Sequence, residues 1–420
     1  MDPLPGAPVS LRILHISTRL ILGGSQENTV LSCEGQAELG HDVHLAFGPI
    51  YGPEGSLLER VEHFRTSRGD RIHTHIVPSM IRAIHPLKDI RAYRELLRLV
   101  RTLRPDIVHT HSSKAGILGR AAAWQAFRTS TDHRPAVVHT IHGPPFHASQ
   151  SPVVNAIYTA AERYAAKRCH AVVSVADAMT RDYLSRGIGT PGLYTTVYSG
   201  METDRFLTPP PGESRETTRA ALGIEPGDFV IGTVARLAEL KGHDDVLDAL
   251  ADELRARPSW KLLWVGDGWL RDRLMARVAS LGLSRQVVTT GLVPPEDVPR
   301  FIRAMDLLVH PSYREGLPRT VPQALLCGVV PVAYDTDGTG EICINGRTGR
   351  LIPTGDRAGL RAAVCALYDH ADERIALADA GRSLCRDRFS TQRMVADLER
   401  VYAAALVRAG GAAADGIARQ

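Results

Sequence analysis

Short apolar runs alternate with longer stretches of helical spacing along the whole chain. In the first half, LRILHIS (11–17), DVHLAF (42–47), DIVHTH (106–111), AVVHTI (136–141) and AVVSVA (171–176) are rich in Val and Ile. Runs of that length and composition predict buried strands. The second half repeats the scheme with FVIGTVAR (229–236), KLLWVGDG (261–268), QVVTTGL (286–292), LLVHPS (307–312) and VVPVAY (329–334). Nearly continuous apolar strands separated by helices are what a parallel sheet covered on both faces requires. The pattern predicts an α/β protein made of two doubly wound domains.

The break between the two series falls in VYSGMETDRFLTPPPGESRE (197–216), a polar segment rich in Pro, Gly and Ser and without periodicity. It sets the first domain at 1–198 and the second at 199–390. Further on, MVADLERVYAAALV (394–407) has apolar residues at helical spacing, and 409–420 is expected to be a disordered tail. A length of 420 residues exceeds the roughly 250–300 at which a single core stops growing, in keeping with two domains. Lys and Arg total 50 against 46 Asp and Glu, too even a balance for nucleic acid to be the main partner. The six cysteines include no C-x-x-C pair and are expected to be reduced thiols. No 18-residue apolar run is present, and the opening MDPLPGAPVSLRILHIS lacks the apolar stretch of a signal peptide, so a cytoplasmic location is expected.

In open parallel sheets, ligands gather at the carboxyl ends of the strands. After the first run, Gly23 and Gly24 stand just ahead of a helix. There the backbone can approach a ligand and free N–H groups can face an anion, although an ordinary turn explains the pair equally well. In GTVARLAELKGHDD, Arg236 and Lys241 follow a strand and enter a helix, a suitable trap for a diphosphate. In REGLPRTVPQALLCG (314–328), Glu315 lies in a loop and the helix is expected to begin between Pro318 and Val321. Pro322 then belongs in the first turn, where its missing N–H costs nothing. The amides of Gly316 and Leu317 would form an anion nest, with Glu315 placed to accept from hydroxyl groups. Gln323 is polar inside an apolar run, eight positions after Glu315. His142 ends a strand and precedes Gly143; a satisfied structural histidine is the competing explanation.

Taken in order, GGSQ, HTIHG, ARLAELKG, VGDG and REGLPRTVPQALLCGVVPVAYDTDGTGEICINGRTGRLIP resemble the retaining nucleotide-sugar glycosyltransferases of family 4. The resemblance runs from about residue 12 to 402. It implies the GT-B fold: two doubly wound Rossmann-like domains facing across a cleft, with the last helix (391–408) crossing back to the first domain. It implies an acceptor-side first domain and a second domain that binds the nucleoside-diphosphate sugar. No cofactor beyond that donor substrate and no metal is implied. By the same resemblance, Arg236 and Lys241 match the diphosphate-binding pair, Gly24 the glycine loop, His142 a histidine near the donor sugar, and Glu315 the residue at the sugar hydroxyls. The family's second glutamate, which holds the ribose, is replaced here by Gln323. An amide still accepts from a hydroxyl, but without the charge that strengthens such a bond. A sugar-nucleotide epimerase of the same fold and a non-catalytic sugar-nucleotide-binding protein are the alternatives. The acceptor is expected to be a glycan, a lipid-linked glycan or a small molecule.

Other signals point elsewhere. Asp335-Thr336-Asp337 is expected to be a polar turn rather than a metal motif. His73/His75 and His109/His111 are H-x-H pairs without a third ligand nearby in sequence, which argues against metal. Ser112 and Ser113 are expected to cap a helix, beside Lys114 as an acceptor or phosphate contact. In the helix expected over 87–104, Arg91, Arg94, Arg98 and Arg101 share one side within about 80°. They flank an apolar stripe of Ile90, Tyr93, Leu97 and Val100. A solvated face over a buried one accounts for such a stripe; the competing reading is weak contact with an anionic membrane, on the inner face of the cell membrane.

Overall fold

The computed structural model describes residues 10–50, 55–128, 133–146 and 150–410. Its contacts divide the chain into one unit of Met1–Met201 with Thr391–Gln420 and a second of Glu202–Ser390. Most of the expected tail, 411–420, lies outside the described residues.

In the first unit, strands β1 (Arg12–Ser17), β2 (Asp42–Phe47), β3 (His73–Ile76), β4 (Ile107–His111), β5 (Ala136–Ile141), β6 (Ala171–Ser174) and β7 (Tyr194–Thr196) form one sheet. Their order is β3-β2-β1-β4-β5-β6-β7, with parallel pairing throughout. Strand order reverses between β1 and β4, so the loops after these strands diverge and leave a crevice at their carboxyl ends. One face of the sheet is covered by the C-terminal helix Thr391–Ala409. Its Met394, Leu398, Val401, Tyr402 and Ala405 pack with Ile13, Ile107 and Val138. Each large apolar side chain buried there contributes about 1.5–3 kcal/mol, which fixes this last segment to the first unit. The opposite face carries helices Pro86–Leu103 and Ser113–Ala126.

Helix Pro86–Leu103 shows why the chain starts and stops where it does. Pro86 supplies its first turn, and the His85 ring accepts from the Lys88 N–H at 3.4 Å. Ala92, Leu96 and Val100, four apart, form its buried face. It ends at Leu103, one residue before the expected limit, because Arg104 takes a left-handed cap conformation with φ 47°. The arginine stripe is exposed as expected, whereas Val100 of the expected apolar stripe is fully buried and Ile90 is exposed.

The second unit holds β8 (Phe229–Val234), β9 (Trp260–Val265), β10 (Val287–Gly291), β11 (Leu307–His310), β12 (Val330–Tyr334) and β13 (Arg350–Ile352). The order is β10-β9-β8-β11-β12-β13, again parallel, with the reversal between β8 and β11. A core of Ile231, Leu250, Trp260, Trp264, Val309 and Val332 lies against it. Each unit is thus a Rossmann-like parallel sheet, as the apolar pattern predicts.

Buried charge in the first unit is confined and paired. Arg120 and Glu162 are each about 1% exposed and 2.7 Å apart, and the Arg120 Nε also donates to the Gly116 carbonyl at 2.8 Å. Removing one partner strands the other charge in a low dielectric. Arg120→Met is therefore expected to lower stability by roughly 3–5 kcal/mol in urea unfolding. The double variant Arg120→Met/Glu162→Leu should recover most of that loss.

Candidate active site

The second unit's site is built by two loops that leave neighbouring strands. The loop after β8 carries Arg236 and Lys241; the loop after β11 carries Ser312 to Arg319. They are stitched together by backbone and hydroxyl bonds. The Tyr313 N–H donates to the Leu240 carbonyl at 2.8 Å, and the Ser312 hydroxyl donates to the same carbonyl at 3.1 Å. Gly242 sits between them with φ 72°, and a Cβ there would lie 2.1 Å from the Pro311 carbonyl oxygen. Only glycine allows both that backbone conformation and that approach. Below the loops, the buried Asp245 accepts from the hydroxyls of Tyr313 at 2.5 Å and Tyr334 at 2.8 Å, and from Arg357 at 3.0 Å. Asp245 opens the helix that follows Lys241, so one carboxylate holds both loops in register.

This scaffold brings Lys241 and Glu315 together. Their Nζ and Oε1 are 2.6 Å apart across 74 residues of sequence. The Nε2 of the buried His310, the last residue of β11, lies 3.3 Å from the same carboxylate oxygen. Its Nδ1 lies 3.2 Å from the Thr320 hydroxyl. Burial pushes the Glu315 carboxyl up, but His310 and Lys241 outweigh it and hold the group down at about 2. The Glu315 backbone N–H donates to Asp337 at 2.7 Å, and the Gly338 N–H to the Gly316 carbonyl at 3.1 Å. Asp335-Thr336-Asp337 is thus a turn, whose last residue, at φ 48°, props the Glu315 loop.

Helix Thr320–Leu326 begins within the expected interval, and Pro322 lies in its first turn. Among the described residues, neither the Gly316 nor the Leu317 N–H donates to a protein acceptor, and the half-buried Gln323 amide has no hydrogen-bond partner. Arg236 is exposed; its guanidinium lies 5.9 Å from the Trp269 ring centroid. It forms no ion pair among the described residues.

In the first unit, helix Gly24–Glu38 starts at Gly24, preceded by Gly23 in extended backbone at φ 175°. That conformation does not itself demand glycine. His142 follows β5, with its Nε2 3.1 Å from the Nδ1 of His111 and the rings stacked 5.4 Å apart. Beyond the carboxyl ends of β1 and β4, a cavity of about 440 Å³ is lined by Thr18, Arg82, Ile84, Lys114, Ile157 and Tyr158, among others. A second of about 510 Å³ shares Asp89, Ile117 and Leu118 with it.

Two expectations are corrected here, those for Ser112 and for the His109/His111 pair. Ser112 occupies the N-cap position of its helix but makes no capping bond; its hydroxyl instead lies 2.7 Å from that of Thr18, tying the two switch-point loops together. Lys114, the expected acceptor or phosphate contact, lines the first cavity and is ion-paired to Asp89 at 2.6 Å. The His109/His111 pair does gain a third histidine, His15, on the adjacent strand. Two features escaped the sequence reading altogether. His310 is the final residue of an apolar run, and that end-of-strand position was its signal. Asp245, four residues beyond Lys241, looked like an ordinary acid in a helix's first turn.

The Glu315 environment has a direct consequence for acid stability. Its folded carboxyl titrates near 2, below the ordinary 4.5, so it stays ionised while the unfolded chain takes up a proton. Its contribution is complete above about pH 4.5 and disappears as pH falls towards 2. Over that window Glu315→Gln should flatten the fall in unfolding free energy, by up to about 3 kcal/mol between pH 5 and 2 in urea titrations.

Two family descriptions match the chain: "Glycosyltransferase Family 4" over residues 22–205 and "Glycosyl transferases group 1" over 214–384. Among curated relatives, the 2-deoxystreptamine N-acetyl-D-glucosaminyltransferase of Streptomyces fradiae is 31% identical over 334 residues, covering 75% of each chain. The UDP-Gal:alpha-D-GlcNAc-diphosphoundecaprenol alpha-1,3-galactosyltransferase of Escherichia coli is 26% identical over 82% of this chain and 85% of its own. Among solved structures, Anabaena Alr3699/HepE in complex with UDP superposes with a TM-score of 0.75 at 20% identity, over 93% of this chain and 99% of that one.

Proposed function

This chain belongs to glycosyltransferase family 4, of the GT-B fold, and we propose that it is a retaining, metal-independent enzyme that moves a sugar from a nucleoside diphosphate to an acceptor hydroxyl. The observation that carries the proposal is the Lys241–Glu315 pair at the carboxyl edge of β8 and β11, beside two backbone N–H groups that have no acceptor among the described residues. As the bond from sugar to diphosphate breaks, negative charge grows on the leaving oxygens. Lys241, Arg236 and the amides of Gly316 and Leu317 supply positive charge and donors for it. Because side chains and backbone provide this neutralisation, the reaction needs no divalent ion.

Glu315, ionised at any physiological pH, accepts from donor sugar hydroxyls. Gln323 accepts from the ribose, and by the family resemblance Gly23 and Gly24 belong to the loop whose backbone approaches the donor. His142, after β5, is assigned to the donor sugar by the family resemblance. No side chain is assigned as a covalent nucleophile. The bound UDP of the Anabaena structure agrees in kind with such a donor.

For the acceptor, the first unit favours a lipid-linked glycan. Ile84 and Ile157, 71% and 60% exposed, line the first cavity and Ile90, 51% exposed, the second; Leu87, 67% exposed, stands on the same helix as Ile90. Arg82, Lys88, Arg91 and Arg94 stand exposed among them. Apolar side chains ringed by cations suit an anionic lipid surface and disfavour a cationic aminocyclitol. The Escherichia coli relative is named for a diphosphoundecaprenol acceptor. No helix among the described residues is long and apolar enough to cross a membrane, so the contact we propose is peripheral.

Two measurements test these assignments. Lys241→Ala and Glu315→Ala are expected to depress turnover by about a hundredfold or more, as loss of transition-state electrostatics does. Near-normal rates in both contradict the site. In sedimentation with anionic vesicles, the chain should bind in a salt-sensitive manner, and Leu87→Ser/Ile90→Ser should weaken binding about tenfold or more. Equal binding to neutral vesicles, or none, contradicts the membrane assignment.

A further inference from the structure

We propose that a buried hydrogen-bond relay of His111, His15, Gln36 and Tyr402 sets the tautomer of His142, making Nε2 its protonated nitrogen and Nδ1 its accepting one. The inference rests on the role proposed above for His142 only in its consequence for the donor sugar; the relay itself stands on geometry. From His142 inwards, the contacts are His142 Nε2 to His111 Nδ1 at 3.1 Å, His111 Nε2 to His15 Nδ1 at 2.9 Å, and His15 Nε2 to Gln36 Oε1 at 2.7 Å. Gln36 Nε2 then donates to the Tyr402 hydroxyl at 2.9 Å, which lies 2.6 Å from His109 Nδ1. His109 Nε2 ends the chain 2.7 Å from the Thr140 hydroxyl.

A neutral imidazole has one proton, so each ring must donate at one nitrogen and accept at the other. The amide of Gln36 sets the sense. Its carbonyl can only accept, so His15 carries its proton on Nε2 and accepts on Nδ1. His111 therefore donates from Nε2 and accepts on Nδ1, and His142 must donate from Nε2. On the other side, the Tyr402 hydroxyl accepts from the amide and donates to His109 Nδ1, which sends the His109 proton to Thr140. With the Gln36 amide oriented this way, Oε1 towards His15 and Nε2 towards Tyr402, all the bonds are satisfied in one direction; reversing one ring alone leaves two protons or two lone pairs facing each other, and turning the amide over would reverse every ring together.

The environment keeps the relay uncharged. His15, His109, His111, Gln36 and Tyr402 are buried. Burial holds the His15 ring down at about 4, and those of His109 and His111 well below their ordinary value. His15, His109 and His111 lie close enough to suggest a metal site. Yet all six of their ring nitrogens take part in the bonds just described, and an ion would break the chain. Tyr402 belongs to the C-terminal helix, so the segment that closes the first unit's core also terminates the relay.

His111, His15, Gln36 and Tyr402 are positioning residues. Their test is nitrogen-15 NMR of the full chain labelled at histidine, which reads the tautomer directly and needs no turnover. In the wild-type protein above pH 7, His142 should show a protonated Nε2 and an unprotonated Nδ1. Gln36→Leu removes the acceptor that sets the sense, and His142 should then average between both tautomers while His44, His73 and His75 keep their signals. The same variant should lower kcat about tenfold, the worth of one hydrogen bond, with little change in donor KM. An Nδ1-protonated His142 in the wild-type protein overturns the proposal, as does a tautomer that Gln36→Leu leaves unmoved. A correct tautomer shift without any change in kcat would uphold the relay and contradict only the sugar-positioning role of His142.

Discussion

The parallel pairing of β8 with β11 is the constraint on which the chemistry of the second unit depends. Strand order reverses there, so the two following loops meet although 74 residues separate Lys241 from Glu315. The meeting is tight enough to require Gly242, whose hydrogen faces the Pro311 carbonyl where any side chain would collide. Asp245 then fixes both loops from beneath. A cation, a carboxylate and two backbone donors without protein acceptors are held at one sheet edge by packing, before any ligand arrives. Such preorganisation lets fixed groups stabilise developing charge without reorganising.

Much of this was legible in the sequence, and the exceptions have physical causes. The ten long apolar runs gave ten strands because parallel strands are buried on both faces and cannot hide their composition. The three missed strands, β3, β7 and β13, are at sheet edges; two span three residues and β3 alternates His and Thr with little apolar signal. Strand limits overran at their carboxyl ends, at Arg236, at Gly266 to Gly268 and at Ser312. Those loop residues continue the strand's direction before turning into the site. Arg236, Lys241, Glu315 and Gln323 could be picked out because polar residues interrupt an apolar pattern.

What the chain could not reveal was pairing across sequence distance. His310, Asp245 and the relay partners of His142 act through neighbours on other strands and helices, and no local spacing encodes such contacts. The Ser112 hydroxyl looked like a helix cap for the same reason: its partner, Thr18, lies on a loop 94 residues away. The His109/His111 pair, set aside for want of a third ligand, acquired one as soon as β1 lay beside β4. Resemblance supplied roles for His142 and Glu315; geometry supplied the groups that tune them.

The proposed function stands or falls with binding of a sugar nucleotide's diphosphate at the β8–β11 edge. Its most direct test is calorimetric titration of the full chain with a panel of nucleoside diphosphates, repeated with Lys241→Ala and Arg236→Ala. At least one diphosphate should bind the wild-type chain, and each variant should weaken it about tenfold or more, as expected on losing a charge-assisted contact. A diphosphate that binds equally well to wild type and both variants would contradict it, as would no binding of any of them at millimolar concentration.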